Sequence, residues 1–479
     1  MKHICVLLAY EPFFKSRIYL IFLALALCCL FTPIVLAQVT GDYRTIASGN
    51  FGNTSIWQIY DGASWTAAVV KPSQVNDVYI DQGDSVRLTI DEQVKSLFLN
   101  SDTGAAQKLN LNGSNLDIYG SLQAFVGLAP GSSSGTLGSI NWIGNSITST
   151  LTFKGGSRII IPYNAWSGQS TRSRYSVIFD PLPGSELIVE EAFKSLEFTI
   201  KTGNVLQTID NSVDPGKCGT FSFNTETLVF GTGPFGKFVI EAGAKLTSLC
   251  NSDILFRSGT STTPTPAALF HLQPGGELIL EGSAPQIEAA SFQLDGKVTF
   301  RKNTGTQIFF TKAISASVIP TQFHDLEISG SIGVTLPTSL SVNGNISQTG
   351  TGSFGLSNTT LLLDGSFDQS ISGFPMNVKN LTVNKPAGSV TFQQDLTVKN
   401  TLQMDDGGMD FLGKNLTINS DGTGELKYYN GFWKNVGLFT YMNTPLLLTT
   451  TNSTYPFLDV FQGGIRKVQL LAQLAVFKS

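Results

Sequence analysis

LNLNG at residues 109–113 decides the fold of this chain, and the same pattern returns as LILEG at 278–282 and LSVNG at 340–344. In each copy two apolar side chains are separated by one other residue, which is the period of a β-strand. The Asn or Gly that follows is suited to the positive φ of a sharp turn. Each copy therefore predicts a short strand that ends in a turn.

This strand-and-turn pattern recurs through most of the chain. Further copies begin at Leu97, Leu187, Phe238, Phe292, Leu361, Leu381 and Leu396. Within residues 323–420 a longer offset of about 55 residues relates pairs of copies, which suits two or three coils of a solenoid whose coils bury their apolar faces only by stacking. The pairs are Leu326 and Leu381, Leu340 and Leu396, and Leu361 and Leu416.

The fold that these patterns predict is all-β: a right-handed parallel β-helix, or β-solenoid, with capped ends and no substantial helix beyond the leader segment. The 33 phenylalanines then form interior ladders together with leucines. A string of β-sandwich domains remains the alternative, because Asn-Gly pairs are also typical of hairpins.

The first 37 residues have the features of a cleaved secretory signal peptide. Lys15 and Arg17 precede an apolar run at 18–30, and small residues lead to a cleavage position between Ala37 and Gln38. An uncleaved membrane anchor is the alternative, since residues 18–37 are long enough to span a bilayer. We expect a secreted or cell-surface protein, exported through the inner membrane, with no transmembrane anchor in the mature chain.

Composition narrows the choice of partners. Charged residues are 14% of the chain and hydrophobic residues 42%, which is not the composition of a disordered protein. A formal charge of −4 and the absence of a Lys/Arg cluster argue against nucleic acid.

Beyond the leader the cysteines are Cys218 and Cys250, which form either a disulfide or two buried thiols. His271 and His324 are far apart in sequence, so we expect no metal site of the zinc kind.

Residues 40–125 carry a resemblance. Its motifs are Tyr43–Phe51, Trp57, Trp65, Asn76–Ile80 and Gly83–Val86. They resemble the opening of large exported surface proteins of gliding bacteria and are similar to the eight-glycine extracellular domain. The resemblance implies surface display, adhesion or matrix association, often with type IX export, and does not imply an enzyme. Such proteins usually end in a sorting domain, which we do not find before Ser479, so we expect release, a holding partner or a truncated version of a longer protein.

The expected organisation has four parts: the signal peptide at 1–37, an N-terminal cap and first coils at 38–125, the β-helix body at 126–425, and a C-terminal cap or the start of a truncated β domain at 426–479.

Three carboxylates, Asp405, Asp406 and Asp410, are the best candidates for catalysis, because neighbouring carboxylates can act as general acid and base. No other sequence feature of a polysaccharide hydrolase or lyase accompanies them. We interpret them as a solvated turn, with at most a weak Ca²⁺ contact through their oxygens and otherwise no cofactor.

Aromatic residues give the candidate ligand site: Tyr428, Tyr429 and Trp433 could grip a sugar ring. The alternative is that they cap the open end of the solenoid, and Trp57 and Trp65 allow the same two interpretations at the other end. The sequence therefore predicts a non-enzymatic extracellular protein that contacts polysaccharide or cell-surface components. A polysaccharide-degrading enzyme and a carbohydrate-binding solenoid are the alternatives.

Overall fold

The computed structural model describes residues 38–81, 83–100, 108–125, 143–144, 148–155, 158–160, 175–190, 193–210, 217–218, 221–223, 236–258, 268–313, 316–444 and 468–472. Within these ranges the protein is all-β. Regular helix is confined there to two short 3-10 segments, Thr54–Ile56 and Leu356–Asn358. Among the same residues no helix has the length and apolar character needed to cross a membrane. The predicted signal peptide lies outside the described residues.

Short strands fill the N-terminal two thirds of the described chain. They are β1 (Tyr43–Thr45), β2 (Gly49–Asn50), β3 (Trp57–Tyr60), β4 (Trp65–Ala67), β5 (Asp77–Ile80), β6 (Val86–Arg87), β7 (Glu92–Val94), β8 (Ser96–Asn100), β9 (Leu109–Asn110), β10 (Leu116–Ile118), β11 (Leu122–Phe125), β12 (Ile143–Gly144), β13 (Thr150–Lys154), β14 (Arg158–Ile160), β15 (Ser176–Asp180), β16 (Glu186–Val189), β17 (Phe193–Ser195), β18 (Glu197–Ile200), β19 (Asn204–Gln207), β20 (Ile209–Asp210), β21 (Lys217–Cys218), β22 (Phe221–Phe223), β23 (Lys237–Ile240), β24 (Lys245–Ser248), β25 (Ile254–Ser258), β26 (Leu269–Leu272), β27 (Glu277–Leu280), β28 (Gln286–Glu288), β29 (Ser291–Leu294), β30 (Lys297–Phe300), β31 (Gln307–Ile308) and β32 (Phe310–Lys312).

The C-terminal third continues in the same way but includes two longer strands, β42 and β44. Its strands are β33 (Ser317–Val318), β34 (Gln322–Phe323), β35 (Asp325–Ile328), β36 (Val334–Thr335), β37 (Ser339–Val342), β38 (Ile346–Gln348), β39 (Thr360–Leu363), β40 (Gln369–Ser372), β41 (Met376–Val378), β42 (Asn380–Phe392), β43 (Leu396–Val398), β44 (Leu402–Asp410), β45 (Leu416–Ile418), β46 (Leu426–Tyr428), β47 (Phe432–Lys434), β48 (Phe439–Thr444) and β49 (Val468–Ala472).

Parallel pairing dominates the sheets. We call a series of strands in which each pairs with the next a ladder. One ladder runs through β5, β8, β11, β14, β16, β19, β24, β27 and β30. A second runs through β7, β10, β13, β15, β18, β23, β26 and β29. A third comprises β17, β22, β25, β28 and β32. Since parallel strands need a crossover connection, the chain leaves one ladder and enters another before it returns.

The N-terminal unit is different, because its strands β1, β3 and β4 pair antiparallel. On its other side β1 pairs in parallel with β5, so the unit continues directly into the first ladder. Tyr43 and Trp57 point inward from this unit and are 2% and 1% exposed.

Alternate residues of the strands form the core. In the second ladder Phe153 pairs with Phe179, Phe198 with Phe238, and Phe238 with Phe270, whereas Phe179 and Phe198 are not register partners. All five of these phenylalanines are buried. Their ring centroids lie 5.7, 6.3, 5.8 and 5.4 Å apart in that order. Neighbouring aromatic rings at this spacing gain stabilisation beyond the area that they bury. The phenylalanine rings therefore stack in the interior, as the sequence predicted.

Near the C-terminus the long strand β44 takes part in two series of pairings. Its first half pairs with β46 and its second half with β47, while the following strand β45 pairs with β48. Leu402, Met409 and Leu416, one from each of these segments, are fully buried in the same hydrophobic core. Three strand segments of one stretch of chain thus face a common interior.

The offset of about 55 residues seen in the sequence is not the distance between paired strands. Leu381 pairs with Leu361 and Leu402, each some 20 residues away, whereas Leu326 pairs with Val298 and Ile346. Copies of the pattern that match at the longer offset are therefore not paired with each other.

Glycine serves two purposes at the ends of the quoted stretches. Asn112 and Gly113 have φ of 51° and 87°, as predicted for a sharp turn. Gly282 has no positive φ, but a Cβ atom there would lie 1.6 Å from the carbonyl oxygen of Cys250. Glycine is needed at Gly282 because the missing side chain lets two segments approach closely, and not because the backbone turns sharply there.

Candidate functional site

The predicted carboxylates Asp405 and Asp406 lie within β44 where its two pairing halves meet, and both are partly exposed. The Oδ1 atom of Asp406 accepts hydrogen bonds from the Gly407 N–H at 2.8 Å and from Asn430 Nδ2 at 2.9 Å. Asp405 accepts one from Gln403 Nε2 at 2.8 Å. Asp405 is thus engaged within its own strand, whereas Asp406 also contacts Asn430, which lies between β46 and β47.

Asp410 occupies the far end of β44 and is only 8% exposed. It accepts hydrogen bonds from Asn435 Nδ2 at 2.9 Å and from the Leu412 N–H at 3.1 Å, and Lys434 Nζ lies 3.0 Å away. Burial alone would raise the pKa of Asp410, but these three partners outweigh it and hold that pKa below its usual value. The carboxylate is therefore ionised and bound to its neighbours.

The three carboxylates occupy different parts of β44. Asp405 and Asp406 follow the residues that pair with β46, whereas Asp410 is the last of the residues that pair with β47. Within the part of the chain that the structure describes, no group of three or more His, Cys, Asp or Glu side chains is arranged to hold a metal ion. The weak Ca²⁺ contact considered from the sequence gains no support from this arrangement.

Asp410 leads to a prediction about pH. Its folded pKa is lowered, so the stability that it contributes is fully present above the unfolded value of 3.8 and is lost as pH falls through the folded pKa. We expect Asp410→Asn to lower the free energy of unfolding by about 1–3 kcal/mol at pH 7, and the difference from wild type to shrink below pH 4. Urea unfolding at pH 7 and pH 3 measures both. Asp405→Asn, at a partly exposed site, serves as the control and should change little; a deficit for Asp410→Asn that persists undiminished at pH 3 would contradict the assignment.

The predicted aromatic platform is dispersed. Tyr429 is 69% exposed, whereas Trp433 is 1% exposed, with its ring centroid 5.4 Å from that of Phe439. Tyr428 packs against the core and donates a hydrogen bond from its hydroxyl to the Gly431 carbonyl at 3.0 Å. Trp433 is therefore a core residue, and its prediction as a ligand-binding residue gains no support from this burial. Strand alternation is the reason, because it turns Trp433 inward between two partly exposed neighbours.

Tryptophans at the N-terminal end divide in the same way. Trp57 is buried, and its Nε1 donates to the Phe51 carbonyl at 2.8 Å. Trp65 lies in β4 on the outer face, where the guanidinium carbon of Arg44 is 4.6 Å from its ring centroid. Trp57 is thus a core residue, and Trp65 remains accessible in part.

Cys250 is fully buried and disulfide-bonded. The backbone of Cys218 lies in β21, antiparallel to β20, but its side chain falls outside the described residues. The pairing of Cys218 with Cys250 stays a prediction. The proposed cleavage position stays one as well, since Gln38 is the first described residue and Ala37 lies outside.

Two side chains of interest escaped sequence analysis. Lys385 in β42 is fully buried, with Nζ 3.0 Å from the Asp364 carbonyl oxygen, and burial lowers its pKa against the opposing charges of Asp364 and Asp368. Arg44 meets Trp65 only because β1, β3 and β4 pair. Lys385 belongs to no local motif, and Arg44, although it lies in the Tyr43–Phe51 stretch, carries no local signal of its contact with Trp65.

No family model, no curated protein and no solved structure matches this chain.

Proposed function

We propose that the chain is an exported, non-enzymatic protein of the cell surface or extracellular space that contacts polysaccharide or other matrix components. Its architecture, in this proposal, is a right-handed parallel β-helix of the kind that the resemblance to surface proteins of gliding bacteria implies. The long parallel ladders around a shared core support this architecture, because stacked coils extend a surface along one axis.

The observation that carries the non-enzymatic proposal is the engagement of all three candidate carboxylates. Asp406 bonds to Asn430 of the following segment, and Asp410 bonds to Asn435 and pairs with Lys434. A glycosidase needs two carboxyl groups facing one scissile bond at about 5–9.5 Å, one of them with a raised pKa. The pKa of Asp410 is shifted in the opposite direction. These contacts favour a structural role.

The test is a binding and turnover screen of the chain from residue 38 onward against neutral and acidic polysaccharides. Titration gives binding, and release of reducing ends or unsaturated products gives turnover. We expect binding of at least one polysaccharide without product. Product formation that Asp405→Asn or Asp406→Asn abolishes would replace the proposal with a polysaccharide-degrading enzyme. Absence of binding and of product across the panel would overturn the polysaccharide contact.

A further inference from the structure

The outer face of the N-terminal antiparallel unit carries a cluster of flat side chains. Arg44 pairs with Gln58 across β1 and β3, and Tyr60 pairs with Trp65 across β3 and β4. All four side chains are partly exposed, while Tyr43 on the opposite face is buried. We call Arg44, Gln58, Tyr60 and Trp65 the outer cluster.

Contacts within the outer cluster fix the positions of its members. The Arg44 guanidinium carbon is 4.6 Å from the centroid of Trp65, and the Tyr60 and Trp65 centroids are 5.3 Å apart with planes at 52°. Arg44 Nε donates to Gln58 Oε1 at 2.9 Å. The cluster is thus held by protein contacts before any ligand arrives, which lowers the entropic cost of binding.

The outer cluster carries several hydrogen-bond donors besides the Arg44 Nε that binds Gln58. They are the Arg44 Nη groups, Gln58 Nε2, the Tyr60 hydroxyl and Trp65 Nε1. Flat rings with hydrogen-bond donors around them match a sugar, whose C–H face packs on a ring while its hydroxyls form hydrogen bonds.

We infer that the outer cluster is a saccharide-binding subsite, an inference that rests on the proposed polysaccharide contact and locates it at the N-terminal unit. The two Nη groups of Arg44 suit a carboxylate, which a guanidinium binds through two parallel hydrogen bonds. The favoured ligand is therefore a uronate-containing polysaccharide. A neutral glucan uses only the rings and the hydroxyl contacts.

A purely structural function for the outer cluster would be to hold the edge strand β4 by the cation–π contact. Arg44→Lys separates the two functions, because lysine keeps the cation near Trp65 but loses the planar pair of donors. The test therefore measures thermal unfolding and ligand binding on the same samples. Its probes are polygalacturonate and a neutral β-glucan, titrated into the chain from residue 38 onward.

We expect Arg44→Lys to weaken polygalacturonate binding about tenfold or more, which is the loss of one good interaction, with an unfolding midpoint close to that of wild type. Trp65→Ala should weaken binding of both polysaccharides. Tyr429→Ala, which removes the most exposed aromatic residue of the predicted C-terminal site, is the matched control and should bind as wild type does.

Two results would overturn the inference in distinguishable ways. Wild-type affinity in both Arg44→Lys and Trp65→Ala, whatever Tyr429→Ala does, would exclude the outer cluster and leave the proposed polysaccharide contact intact. A wild-type chain that binds neither probe would contradict the proposed polysaccharide ligand. If Trp65→Ala does not fold, Arg44→Lys decides between the first result and the expected one.

Discussion

Phe238→Ala should lower the free energy of unfolding by about 3–5 kcal/mol. Phe238 is fully buried, and its ring centroid lies 5.2 to 5.8 Å from those of Phe198, Phe221, Phe256 and Phe270. Truncation would open a cavity where strands of the second and third ladders face each other, and a parallel backbone has little freedom to close it. Urea unfolding followed by circular dichroism measures the loss.

Val239→Ala is the matched control for this substitution. Val239 is the next residue of the same strand but is directed outward and partly exposed. We expect a cost below about 1 kcal/mol, because little packed volume is removed. Equal costs for Val239→Ala and Phe238→Ala would mean that the interior phenylalanine ladder is not the source of stability that its geometry indicates.

Reduction of the Cys250 disulfide should have the second largest effect. If Cys218 is its partner, the bond closes a loop of roughly 30 residues, and its loss should lower the free energy of unfolding by about 3–4 kcal/mol. Denaturant unfolding with and without reductant measures this. A peptide map without reductant identifies the partner.

Serine substitutions supply the controls for the disulfide. Cys218→Ser, Cys250→Ser and the double variant should be equally destabilised, and reductant should have no further effect on any of them. A wild-type unfolding curve that reductant leaves unchanged, or a free Cys250 thiol in the peptide map, would contradict this prediction.

Strand positions were predictable because alternation is local. Residues 278–280 and 340–342 lie in β27 and β37 as their sequence predicted, with Leu278, Leu280, Leu340 and Val342 buried. The side-chain period of a strand does not depend on which partner it finds. The same local rule could have placed Trp433 in the core, since Phe432 and Lys434 on either side share the opposite face.

Pairing partners were not predictable in the same way. Leu381 pairs with Leu361 and Leu402. Which strands pair depends on the lengths of the turns between them, and the triplets carry no information about those lengths. The outer cluster also depends on pairing, since Arg44 and Trp65 belong to strands that meet only through β3. The engagement of Asp406 by Asn430 has the same origin.

The unequal spacing of paired residues has a consequence for how such a chain can evolve. Phe198 pairs with Phe238, some 40 residues later, whereas Leu361 pairs with Leu381, some 20 residues later, and both pairs are buried in the same core. The entropic cost of a longer connection rises only with the logarithm of its length. Insertions between strands can therefore accumulate or be exchanged without altering the register of the interior, and new recognition loops can be acquired on an unchanged scaffold.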